Sequence, residues 1–369
     1  MNLKNIKKAV VNGKSIMVVV IMVLIVAALL FNVLTPQEHP PEDIEQSKEA
    51  LNEGYKHDYN KLQRIAQENM GSVGEVSSLP GMDPTEFLTT WNFNNLPPEE
   101  RAQYYRETQF SNGKILREYW IYVEDKDIEI APGVMFAAWT YNGQVPGPTI
   151  RATEGDHIKI YFQNKGNKPH TMHFHGFHNA TMDGAMTHDF VLPGQNFTYE
   201  FDAEPFGIHP YHCHSLPLTD HINKGLYGSY IVDPKNDTRP NPHKELVMVM
   251  NGFDTNFDEE NEVYAVNTVA FYYVHHPIKI KAGELVRIYL TNMLEFDQIN
   301  SFHVHATFFD EYKTGTRLKP DVFTDILVLG QGERSILDVR FKYPGMYMFH
   351  AHKTEFAEKG WMGFFEVEE

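Results

Sequence analysis

The chain has 369 residues, 42% of them hydrophobic and 13% aromatic, which is room for two or three domains with sizeable cores and too apolar for a disordered protein. Its 49 acidic residues against 32 basic ones leave a net charge of −17, which excludes nucleic acid as a partner and favours neutral or cationic ones. A single cysteine, Cys213, excludes an intrachain disulfide.

Lys4, Lys7, Lys8 and Lys14 precede an almost wholly apolar run from Ser15 to Leu34. About 20 such residues span a bilayer as a helix, and a basic flank predicts that the N-terminal end stays in the cytoplasm. Residues 1–34 therefore read as a cytoplasmic tip and transmembrane anchor, with all that follows on the extracytoplasmic side. A cleaved signal peptide is the competing reading, but its apolar core runs to about 7–15 residues before a small-residue cleavage site, and only Ala27-Ala28 offers one. Residues 35–113 form a polar, acidic linker or stalk with short helices. Ile44, Leu51, Tyr55, Leu62 and Ile65 follow mixed heptad-like spacings there, as in a stalk or a plain solvated helix. Asp83-Pro84-Thr85-Glu86 predicts a helix start with Asp83 as N-cap, running through Trp91 and ended by Leu96-Pro97-Pro98.

Beyond this the pattern is all β. Arg117 to Val123, Val134 to Trp139, His157 to Gln163 and Asn196 to Phe201 are aromatic and β-branched runs between turn signals such as Asn142-Gly143, Pro146-Gly147 and Pro193-Gly194. Short strands at this spacing predict a sandwich or barrel. The plan then repeats: Lys281 to Glu284 followed by Leu285 to Thr291 parallels Arg151 to Gly155 followed by Asp156 to Gln163, a period near 130 residues. Two similar β-domains are expected at 114–237 and 244–369, joined by a linker from Pro234 to Pro242. Asn179, Asn196 and Asn236 head possible glycosylation triplets.

Four His-x-His pairs carry the chemistry: His173/His175, His212/His214, His303/His305 and His350/His352, two in each half. Residues i and i+2 of a strand share a face, so each pair aims two imidazoles at one point, and eight can converge on a metal cluster. Cys213, between His212 and His214, points to the opposite face, where a lone thiolate with imidazoles suits a mononuclear copper centre.

Pro169 to Gly176 (PHTMHFHG), His212-Cys213-His214 with His221 and Leu226 beyond it, Gly143 to Ile150 (GQVPGPTI) and Gly225 to Gly228 together resemble the copper motifs of multicopper oxidases, the family of laccases and ceruloplasmin. The resemblance covers roughly residues 115–369. It implies two Greek-key cupredoxin sandwiches, with His170, Cys213 and His221 at a type 1 (blue) copper and Leu226 in the weak axial place. Met182 and Met186 are alternatives for that place, since His221 lies eight residues past Cys213, closer to the nitrite-reductase spacing. His173 and His303 are implied for the type 2 copper, and His175, His212, His214, His305, His350 and His352 for the type 3 pair. Each chain then carries one type 1, one type 2 and two type 3 coppers. In the second domain Ala351 replaces the cysteine and Asn300 the first histidine, so the blue site is expected only in the first. His178, His188 and His209 read as hydrogen-bonding or packed residues. Asp183, in an Asp-Gly pair, and more weakly Glu355, are candidates for passing protons.

The implied activity is one-electron oxidation of a small reductant or reduced metal ion at the blue copper. It is coupled through Cys213 and its flanking histidines to four-electron reduction of O2 to water. The resemblance also implies a homotrimer with trinuclear sites between subunits. A copper nitrite reductase, which needs only a three-histidine type 2 site, and a membrane-tethered copper or electron carrier without turnover are the alternatives.

Overall fold

Apolar residues alternating with polar ones over short runs bury one side of a strand, and runs such as Gly207–His212 and Leu285–Asn292 are buried on both sides; strands of these two kinds build most of the described chain. The computed structural model describes residues 83–89, 96–297 and 299–369. The apolar run at 15–34 and the heptad-like stretch after it lie outside the described residues. No described helix is long and apolar enough to cross a membrane.

Helix α1 (Pro84–Thr89) starts where the sequence predicts, with Asp83 Oδ1 accepting from the amides of Thr85 (2.8 Å) and Glu86 (3.3 Å). It is docked rather than free. Phe87 and Leu88 are 1% and 2% exposed, and the Tyr273 hydroxyl donates to the Pro84 carbonyl. Pro97-Pro98, expected to end this helix, also begins a second one, α2 (Pro98–Tyr104), because proline is favoured in the first helical turn as well as after the last; the expected end at Trp91 lies outside the described residues.

The first domain contains β1 (Tyr105–Gln109), β2 (Ile115–Ala131), β3 (Val134–Tyr141), β4 (Gly147–Thr153), β5 (His157–Asn164), β6 (His173–Phe174), β7 (Asn196–Asp202), β8 (Gly207–His212) and β9 (Tyr227–Asp233), with helix α3 (Leu218–Asn223) between the last two. One sheet has the order β1-β2-β5-β7, with β3 on the far half of β2, and the other the order β4-β9-β8-β6. Tyr119, Ile121, Phe162 and Tyr199 from the first sheet meet Ile150, Phe174, Tyr211 and Tyr230 from the second in a shared core, which makes a sandwich. Every strand predicted for this domain is present, and β2 runs on past Val123 through Glu124-Asp125-Lys126-Asp127, whose charges hide the continuation.

The second domain repeats the plan. It contains β10 (Lys244–Phe253), β11 (Val263–Val266), β12 (Ile278–Lys281), β13 (Leu285–Asn292), β14 (Ile299–Val304), β15 (Phe309–Lys313), β16 (Val322–Thr324), β17 (Ile326–Gly330), β18 (Arg334–Arg340), β19 (Gly345–His350) and β20 (Met362–Glu368). Helices α4 (Tyr272–His275) and α5 (Thr354–Glu358) interrupt them. The sheets have the orders β11-β10-β13-β18-β15-β16 and β12-β20-β19-β14-β17.

A third core joins the domains. Ile128, Ile130, Phe136, Ile208, Tyr227 and Ile231 of the first pack against Val247, Val249, Tyr289, Tyr312 and Ile336 of the second. The outer face of the β4-β9-β8-β6 sheet thus lies on the outer face of the six-stranded sheet, and this placement decides which histidines can meet within one chain.

Candidate metal centre

Cys213 lies just past the end of β8 with its side chain turned into the first core, while His212 beside it faces outward. Its sulfur is 3.0 Å from His221 Nδ1 and 3.9 Å from His170 Nδ1, and the two imidazole nitrogens are 3.2 Å apart. His221 comes from α3, and the isolated bridge between His170 and Val191 holds the other imidazole. All three side chains are buried. Burial, and then the neighbouring His221, pushes His170 down to about 3, and burial pushes His221 down to about 4. Two buried imidazole nitrogens and one sulfur, all within 3.9 Å of one another, make a donor set that fits a cation. Burial raises the Cys213 thiol, against which the Thr171 amide donates to the sulfur at 3.3 Å, a contact that favours a thiolate.

Leu226 is fully buried and serves this site through its backbone: its carbonyl accepts from the Cys213 amide (3.0 Å) and its amide donates to His221 (3.1 Å). Met186 is 60% exposed, and Met182 belongs to a short 3-10 turn over Ala180–Met182.

On the outward face, His173 opposes His212 across β6 and β8, and His175 Nε2 is 3.3 Å from His212 Nε2. His214 completes the group, its ring centroid 5.3 Å from that of His173, with its Nδ1 buried and without a protein partner. Burial is the main cause that lowers His175 to about 3 and His212 to about 4. Nδ1 of His212 donates to the Cys213 carbonyl (2.9 Å) and Nδ1 of His173 to the Asp183 carbonyl (2.9 Å), which leaves Nε2 of each as the lone-pair atom.

The second domain holds the same arrangement. His303 opposes His350, His305 Nε2 is 3.0 Å from His350 Nε2, and the His352 ring is 5.3 Å from His303. Nδ1 of His350 bonds the Ala351 carbonyl and Nδ1 of His303 that of Asp325. The His214 amide donates to Thr171 Oγ1 and the His352 amide to Ser301 Oγ. Asp325, Thr171 and Ser301 were missed in the sequence. Asp325 stands 22 residues past His303 where Asp183 stands 10 past His173, so spacing gives no signal for it.

Among the described residues each half gathers its own trio, His173/His175/His212 and His303/His305/His350. The first trio lies on the side of the six-stranded sheet, where the turn at Gly332 approaches the His175 ring. The second lies on the outer face of the five-stranded sheet, with the second core between, because Phe302, Val304 and Phe349 point inward. Within one chain the halves do not meet.

Asp183 stands behind His173, its Oδ1 3.2 Å from Nδ1 and 3.8 Å from His178 Nε2. Glu355 is half exposed in ion pairs with Lys359 (2.9 Å) and Lys353 (4.0 Å) and joins none of the histidine groups. His209 is buried between the Pro205 carbonyl and Arg334 of the second domain, and His188 is at the surface.

Where the second domain has Ala351 in place of Cys213, the main-chain frame is the same. The Ala351 amide bonds the Trp361 carbonyl and the Trp361 amide bonds Phe356, matching Cys213, Leu226 and His221. Ala351, Trp361 and Phe356 thus stand in the places of Cys213, Leu226 and His221, and the last two could have been found by continuing the repeat past His352.

Residues 122–237 and 237–369 match two successive family domains, each described as multicopper oxidase. A crystal structure of a multicopper oxidase is 52% identical with a TM-score of 0.74, covering 79% of this chain and 99% of that one. A copper-containing nitrite reductase of Neisseria gonorrhoeae is 31% identical over 265 residues, 66% of this chain and 66% of that protein. Laccase-2 of Botryotinia fuckeliana is 37% identical over 131 residues, 33% of this chain and 21% of the laccase. The chain belongs to the multicopper oxidase family of copper-dependent oxidoreductases.

Proposed function

We propose that the chain is a laccase-like oxidase with one type 1, one type 2 and two type 3 coppers, passing electrons from a small reductant or reduced metal ion to O2. The observation that carries this reading is that each domain sets four histidines on one face, including a pair of facing Nε2 atoms, 3.3 Å apart in the first and 3.0 Å in the second. A single three-histidine site would leave most of these ligands unused. Copper supplies the one-electron redox steps and the binding of oxygen.

The protein does the rest. His170, Cys213 and His221 hold the buried one-electron site, and the bond from His212 Nδ1 to the Cys213 carbonyl ties it directly to the cluster face. Asp183 and Asp325, behind His173 and His303, fix those rings, and Asp183 also stands where it passes protons between solvent and the cluster. Because the half-sites lie on opposite sides of the second sandwich, each is completed by another chain, which is consistent with a homotrimer ring. Ile299 and Val328, 65% and 62% exposed on the sheet that carries His303, supply an apolar rim for that contact. We also infer anchoring in a membrane through residues 15–34, with the copper domains on the extracytoplasmic side.

Nitrite reduction is the second reading, favoured by the identity to the Neisseria enzyme. Copper analysis together with donor-driven O2 uptake, with and without nitrite, separates the two. Four coppers per chain and O2 consumed without nitrite are expected. Two coppers, with nitric oxide formed from nitrite, would overturn the oxidase.

A further inference from the structure

We propose that Trp139 is the port through which electrons reach the Cys213 site, an inference that rests on reading that site as a one-electron copper centre. His170, Cys213 and His221 are 0%, 0% and 2% exposed, so a donor in solution touches none of them. The Trp139 indole touches both imidazoles: its ring centroid is 5.3 Å from that of His170 and 4.7 Å from that of His221. It is itself only partly buried, on the side of β3 that also presents Met135 and Ala137 to solvent. Its amide donates to the Lys224 carbonyl (2.8 Å), and Lys224 Nζ returns a bond to the Ala137 carbonyl (3.1 Å), so the ring is tied to the segment that carries His221.

The second domain supplies an internal comparison. Tyr264 there occupies the same place, its amide on the Lys359 carbonyl, over Phe356 in the position of His221. With no ligand beneath it, the ring lies flat on its neighbour, 4.0 Å away and 17° from parallel. Trp139 instead meets the two ligand rings at 70° and 60° and stays partly exposed.

An indole face holds planar aromatic donors by stacking and cationic ones by cation–π attraction, and the net charge of −17 favours the latter. In the step, the donor loses one electron and the copper(II) held by Cys213 gains it. Any proton that the oxidised donor sheds goes to water, and the indole is unchanged.

The test is anaerobic stopped-flow bleaching of the blue absorption by hydroquinone in copper-loaded full-length protein, comparing wild type with Trp139→Phe and Trp139→Tyr. The variants are expected to keep the blue band and its reduction potential, while bleaching slows by about tenfold or more because the donor's approach to the ligands is lost. A purely packing role would leave the rate unchanged at equal potential. As a second readout, the emission that wild type has and Trp139→Phe lacks is expected to be quenched when copper(II) is added to metal-free protein. Unchanged bleaching in a blue variant overturns the port alone. A wild type without blue absorption overturns the copper reading and the port with it.

Discussion

Thr171 shows how one residue serves two clusters of ligand-type side chains. Its amide points at the Cys213 sulfur and its hydroxyl accepts from the amide of His214, so it ties the buried sulfur to the outward histidine face. Thr171→Val keeps the shape and the amide but removes the acceptor. It is expected to lower stability by about 1–3 kcal/mol, as for a buried donor left unpaired, while the blue absorption persists. Chemical unfolding of the metal-free protein, together with the spectrum of the loaded one, checks both parts. At this scale the sequence was informative because metal ligands belong to few residue types and strand alternation fixes their direction. The four histidine pairs gather on one face of each domain as alternation predicts, whereas His170, at an isolated bridge, and His221, on a helix, were reached only through the resemblance. Thr171, Ser301 and Asp325 did not show, since a hydroxyl or carboxylate that orients a ligand has neither a distinctive type nor a fixed spacing.

Helix α1 shows the limit of local signals among elements. Its start was legible because an N-cap and a first-turn proline act within four residues. Its destination was not, because Phe87 and Leu88 enter cores built from strands far along the chain, Val247 of β10 in the one and Leu246 of β10 in the other. Phe87→Ala is expected to cost about 3–5 kcal/mol, the range for emptying a fully buried aromatic site, and to lower the melting temperature without changing the blue spectrum. Calorimetry checks it. A melting temperature equal to wild type would mean that the helix is dispensable. β5, with plain alternation, and β13, buried at every position, were both predicted nearly to the residue. The charged half of β2 was not, because its polar side chains are paid for by Ile128 and Ile130 in the core between the domains.

For the whole molecule, the two half-sites on opposite sides of the second sandwich make complementation the decisive experiment. Copper-loaded chains carrying His175→Ala and chains carrying His305→Ala are each expected to lack O2 uptake, and to regain part of it when the two are refolded together. Sites closed within one chain would give no recovery. The identical main-chain latches at Cys213–Leu226 and Ala351–Trp361 have one more consequence. Because they involve no side-chain atoms, the scaffold is indifferent to its cargo: it clasps a sulfur with two imidazoles in one copy and a wedge of aromatic rings in the other. Specialisation of the twin sandwiches thus required only new contents in an old casing.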